Sequence, residues 1–138
     1  MNPVRICWAL AAVLLFAFVV FEGVKYGAVA VTVVVVFGLL PDVSLIGAFR
    51  ERGLLRPERV RFYNLMHRPW IAVVLMTVGA TVPLPPLGLG LRGGLEIFLA
   101  GLAWLTHIAV DRAAGFGLRE PDGRIRPVGV RPAPAPPE

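Results

Sequence analysis

The stretch Val31-Thr32-Val33-Val34-Val35-Val36 decides the fold. In a soluble protein such a β-branched run reads as a buried strand. Here it lies within Gly23–Leu40, a segment interrupted by one charge, Lys25, whose long stem reaches the interface. A lone strand in lipid would leave its backbone N–H and C=O groups unpaired, whereas a helix pairs them within the segment. The run therefore reads as part of a membrane helix.

Outward from it, three further apolar segments appear: Ile6–Phe21, Trp70–Val82 and Leu95–Val110. The composition agrees. Of 138 residues, 57% are hydrophobic and 17% charged, with a mean hydropathy of +0.72. A soluble domain of this size cannot hide that much apolar surface, which excludes a soluble globular enzyme and extensive disorder. The single cysteine, Cys7, excludes an intramolecular disulfide.

Taken as one helix, Ile6–Leu40 would exceed a bilayer core of about 30 Å by some 20 Å. Glu22, Gly23, Lys25 and Gly27 are therefore read as a tight turn between two helices. The first segment imitates a signal peptide, but a second apolar run follows at once, so an uncleaved membrane helix is expected. Pro41 ends the second helix. Pro57 opens a helix over Pro57–Arg68, which Pro69 kinks before the third span. Gly115-Phe116-Gly117 stops the fourth. The expected fold is all-α, a bundle of four transmembrane helices occupying residues 1–120. Residues 121–138 form a Pro/Arg-rich extended or disordered cytoplasmic tail.

Arginine sets the topology. Arg50, Arg52, Arg56, Arg59, Arg61 and Arg68 fall between the second and third spans. Arg112, Arg119, Arg124, Arg126 and Arg131 follow the fourth, and Arg5 precedes the first. Only Lys25 and Arg92 lie elsewhere, so 12 of the 14 basic residues share one side. Short basic loops stay in the cytoplasm, which requires an even number of spans with both termini inside. The net charge of +5 thus indicates a bilayer with anionic lipids as partner and no nucleic acid. The expected location is a cytoplasmic (inner) membrane, crossed several times.

This topology gathers polar residues at one boundary. Asp42 ends the second helix, His67 precedes the third, and His107 and Asp111 end the fourth at i, i+4 spacing on one helical face. Tyr63, Asn64 and Arg112 accompany them as supporting polar groups. Two imidazoles and two carboxylates suit a divalent metal such as zinc, which would lower the pKa of a bound water. The alternative is an ion-pair network, in which the aspartates meet cytoplasmic arginines and the histidines meet backbone carbonyls or lipid headgroups. Other features carry less chemistry. Ser44 has no base in its own segment, Glu96 reads as a surface partner of Arg92, and Gly88–Gly94 lacks a phosphate loop's lysine and preceding strand. Trp70 and Trp104 are read as interfacial anchors.

Pro41-Asp42-Val43-Ser44-Leu45-Ile46-Gly47, Tyr63-Asn64-Leu65-Met66-His67 and His107-Ile108-Ala109-Val110-Asp111-Arg112-Ala113-Ala114-Gly115-Phe116-Gly117-Leu118 together resemble a bacterial family of small integral membrane proteins of uncharacterised function. The resemblance covers about residues 25 to 120. That family's lysine and aromatic after the last Gly-Leu are replaced by Arg119-Glu120. A fainter similarity is to membrane-bound metal-dependent hydrolases, which combine a Pro-Asp motif with histidines near helix ends. Their His-Arg-x-x-Thr-His-Ser signature is absent, since His67-Arg68 is followed by Pro69-Trp70.

Two functions follow from the sequence. One is a non-catalytic accessory or structural subunit bound to other membrane proteins. The other is a metal-dependent hydrolase acting on a lipid or amphipathic substrate at the cytoplasmic face.

Overall fold

One glycine separates the first two helices. The structure, a computed structural model, describes residues 2–82 and 93–130. Helix α1 (Pro3–Tyr26) runs straight through Glu22, Gly23 and Lys25, and α2 (Ala28–Leu39) begins one residue later. Gly27 alone makes the turn, with φ +77°, a conformation that L side chains avoid. The longer turn expected over Glu22–Gly27 is therefore corrected. Helical hydrogen bonding continues to the last residue before the glycine, whose own N–H reaches the Gly23 carbonyl at 2.9 Å.

Pro41 does end α2, but the chain goes on as a 3-10 helix, Leu40–Leu45, which carries Asp42. There the Ser44 hydroxyl donates to the Pro41 carbonyl at 2.7 Å. A short hairpin, β1 (Phe49–Glu51) and β2 (Leu54–Leu55), then leads to α3 (Pro57–Met66). The break before Pro69 is complete. His67 closes α3, and Arg68 is extended (ψ 137°) before α4 (Pro69–Thr81), as proline demands of its predecessor. Helix α5 is Gly93–Ala114. The proline-rich connection before it falls at 83–92, outside the described residues.

Three helical segments are long and apolar enough to cross a membrane: Pro3–Tyr26, Ala28–Leu45 and Gly93–Ala114. Helix α4 is apolar, but its 13 residues span only about 20 Å. The chain is thus mostly helical, with the character of a membrane protein.

Helix α5 is the core. It packs against α1, α2 and α4, and most of its residues are buried, whereas α1 exposes Leu10, Val13, Leu14, Phe16 and Phe21. Val19 of α1 and Ala30 of α2 meet Leu99 and Leu102. Glycines admit α4 to contact distance. A Cβ on Gly101 would lie 2.6 Å from the Ala72 carbonyl oxygen, and one on Gly79 would lie 2.5 Å from that of Gly94. Glu96, expected at the surface, is buried on α5; its expected partner Arg92 lies outside the described residues.

The contacts also give direction. Arg5, at the start of α1, donates to the carbonyls of Ala113 and Ala114 at the end of α5. Trp104 Nε1 donates to the Met66 carbonyl at 2.8 Å. This tryptophan is buried and ties α5 to the α3–α4 break, a correction to its reading as an interfacial anchor. One end of the structure therefore unites the start of α1, the end of α2, the α3–α4 junction and the end of α5. Residues 115–130 return over that end. Leu55 N–H donates to the Gly123 carbonyl, and the Asn2 amide donates to the Val128 carbonyl at 2.7 Å. Residues 131–138 of the expected tail lie outside the described residues.

Candidate metal centre

The four residues singled out in sequence meet at this shared end. Asp42 arrives on the 3-10 helix, His67 from the cap of α3, and His107 and Asp111 from consecutive turns of α5. His67 Nε2 lies 3.8 Å from Asp42 Oδ1 and 3.5 Å from Asp111 Oδ2. His107 Nε2 lies 3.5 Å and 3.6 Å from the same two oxygens. Each imidazole thus faces both carboxylates through one nitrogen. Ligand atoms from Asp42, His67 and His107 all lie within 4.8 Å of one another.

These separations are too long for N–H···O hydrogen bonds, which centre on about 2.9 Å. Donors at about 2.0–2.2 Å from a tetrahedral zinc ion stand about 3.3–3.6 Å apart. The observed spacing is close to that edge, and a small contraction about an ion would complete the match. Both Nε2 atoms are buried without a hydrogen-bond partner. A buried polar atom in that state costs about 1–3 kcal/mol, which a bound cation would remove. Among the described residues, neither aspartate has an arginine within ion-pair distance. The arginines instead serve backbone carbonyls: Arg5 those of α5, Arg112 that of His67, and Arg119 that of Gly53.

The tautomer is fixed from behind. His67 Nδ1 lies 3.0 Å from the Tyr63 carbonyl oxygen. A carbonyl only accepts, so Nδ1 carries the hydrogen and Nε2 keeps its lone pair toward the cluster. Tyr63 stacks on the same ring with centroids 4.0 Å apart, and its hydroxyl donates to the Gly117 carbonyl. Burial pushes the His67 imidazole below its ordinary value, against the opposing pull of Asp111 and Asp42. The ring is therefore held neutral, as a metal ligand must be.

Supporting groups lock the frame. Arg112 donates to the His67 carbonyl at 2.9 Å and to that of Phe116 at 2.8 Å. Gly115, at φ +102°, ends α5 and lets the N–H groups of residues 115 and 116 both reach the Asp111 carbonyl. Asn64 exchanges two hydrogen bonds with the backbone of Arg119, at 2.9 and 2.7 Å.

Two contributors escaped the sequence reading, Trp104 and Arg119. Arg119 is buried, with its guanidinium 5.2 Å above the Tyr63 ring. Position in a basic segment gave it no distinguishing signal. The cluster is most open at Asp42, whose side chain is 48% exposed, while that of His67 is 1% exposed.

The fold and this site define a helical protein with membrane-length segments and a His/Asp cluster at one end. Over residues 6–125 the chain matches the family described as Domain of unknown function (DUF4260), and it belongs to that family. No curated protein and no solved structure matches it.

Proposed function

We propose that this chain crosses a bacterial inner membrane four times, with both termini cytoplasmic, and binds one divalent ion, zinc foremost, through Asp42, His67, His107 and Asp111. The ion serves hydrolysis of an amphipathic substrate at the cytoplasmic surface. The carrying observation is the pair of buried, unpartnered Nε2 atoms, each facing both carboxylates at 3.5–3.8 Å. Such an ion makes a bound water a nucleophile near neutral pH. Asp42, the most exposed member, borders the aqueous side from which that water comes. The arginine-rich segments rest on anionic lipid headgroups.

Metal analysis of the full-length protein in mild detergent tests this reading. One zinc per chain is expected, lost in His107→Ala and Asp111→Asn and kept in Glu120→Gln. Hydrolysis of short-chain ester and phosphoester amphiphiles should stop on chelation and return with zinc. A wild-type protein that neither carries an ion nor takes one up on titration sinks the proposal.

The exposed apolar faces of α1 favour a second reading, an accessory subunit of a larger membrane complex. A bilayer covers those faces equally well. Ion-free protein with a stoichiometric partner after extraction would select that reading.

A further inference from the structure

A groove of about 300 Å³ runs beside the cluster, between α1, α2 and α5. Its floor is Val19, Ala103 and Thr106, all buried, and its rim is Phe16, Val35, Leu39 and Val110. Only Thr106 and His107 among the lining residues bear polar side-chain atoms. The Thr106 hydroxyl is already used, donating to the Leu102 carbonyl at 2.8 Å, and so adds no polarity to the groove. His107, three residues before Val110 on α5, belongs to both the groove and the His/Asp cluster.

We infer that this groove holds a segment of one acyl chain of a membrane lipid, with the polar end of that lipid beside His107. The inference rests on the proposed function for the role of the headgroup and narrows its substrate class to lipids bearing a fatty acyl chain. Three observations select this occupant. The lining is apolar except at His107, which also faces the carboxylates of the cluster, so an occupant must be apolar over most of its length and polar at one point. Ala103 to Val110 spans about 10 Å at about 1.5 Å per residue, and the volume admits about ten groups of ~30 Å³, roughly the share of one water. A second helix does not fit, because a cylinder about 10 Å wide and equally long displaces more than twice that volume. The rim residues Phe16, Val35, Leu39 and Val110 are exposed and apolar, so in the proposed topology a chain enters from the bilayer without crossing water.

Gly38 supplies the means of testing it. It lines the groove, and a Cβ there would meet nothing within 4 Å. Gly38→Leu therefore fills the groove without a backbone clash, in a helix that gains propensity from the change. Full-length protein is reconstituted in phosphatidylglycerol/phosphatidylethanolamine vesicles containing a trace of phosphatidylcholine with a mid-chain diazirine. After irradiation, labelled peptides are mapped. Labelling should concentrate on 34–39 and 103–110, exceeding that of the exposed α1 face at Leu10 and Leu14. It should fall at least fivefold there in Gly38→Leu and in Val110→Trp, a second block at the opposite rim, while labelling of Leu10 and Leu14 is unchanged.

Labelling that follows simple exposure over all the helices, or persists in both blocked variants, overturns the inference. Zinc content is read on the same samples, together with His107→Ala. Groove labelling that survives in ion-free protein supports the lipid site and refutes the metal reading. Zinc-loaded protein without selective labelling does the reverse.

Discussion

Arg112 Nη2 donates to the main-chain oxygen of His67 at 2.9 Å, across 45 positions of sequence. The charged end of α5 thereby fixes the backbone from which a candidate ligand projects. Arg112→Met should lower zinc affinity about 10–100-fold, the usual effect of losing an outer-shell partner. It should also cost about 1.5–3 kcal/mol of stability through loss of a charged hydrogen bond. Arg112→Lys should recover only part of either, because it cannot fork to His67 and Phe116 together. Zinc titration and thermal melting in detergent read the two effects.

Acidification should act through His67. Its folded-state value lies below the ordinary one because of burial, so the unfolded chain takes up the proton first. The contribution of His67 to apo stability should be fully present above about pH 6.5, the free imidazole value, and lost progressively as pH falls toward the lower folded value. Zinc retention should weaken in the same direction, since protons compete for the ligand. Melting temperatures from pH 8 to pH 5 check this, and His67→Gln should flatten the apo profile.

Helix α4 depends on glycine. A side chain at Gly101 would collide with the Ala72 carbonyl and with Leu75 Cβ. Gly101→Leu should therefore separate α4 from α5 and destabilise the protein by about 1–3 kcal/mol or more. Gly38→Leu should cost far less, since open space receives its side chain. The contrast in melting temperature between the two variants is the measurement.

The segment following α5 is pinned by Asn64. Asn64→Leu removes both hydrogen bonds to Arg119 and leaves its backbone unsatisfied, at about 1–3 kcal/mol. Limited proteolysis should then cut within 118–128 markedly faster, with α5 still protected.

Where hydropathy and charge decided the matter, the sequence was legible. The charge-free runs located the apolar helices, and the clustering of arginines brought Asp42, His67, His107 and Asp111 to one boundary, where their atoms do meet. Pro41 and Pro69 marked real ends because proline acts locally. What escaped depended on long-range contacts. Gly27 as a one-residue turn was hidden because the charges of Glu22 and Lys25 and a second glycine, Gly23, interrupt the apolar run as well, although glutamate and lysine are good helix formers. The β1–β2 hairpin has too few residues for a period. Arg5 and Arg119 counted only as positive charge, since nothing in composition tells an arginine facing headgroups from one donating to buried carbonyls. Trp104 reads as an anchor near the end of its span, whereas the helix runs Gly93–Ala114 and places it midway, turned inward.

The central position of α5 carries a consequence in time. Synthesis proceeds from the N-terminus, so α1, α2 and α4 emerge before the helix that each of them packs against. Until residues 93–114 follow, the chain holds half of the His/Asp set and little of its core. The last helix made is the keystone. A chain truncated before it should be recognised as incomplete by membrane proteases, and capture of an ion would mark the moment at which insertion is finished.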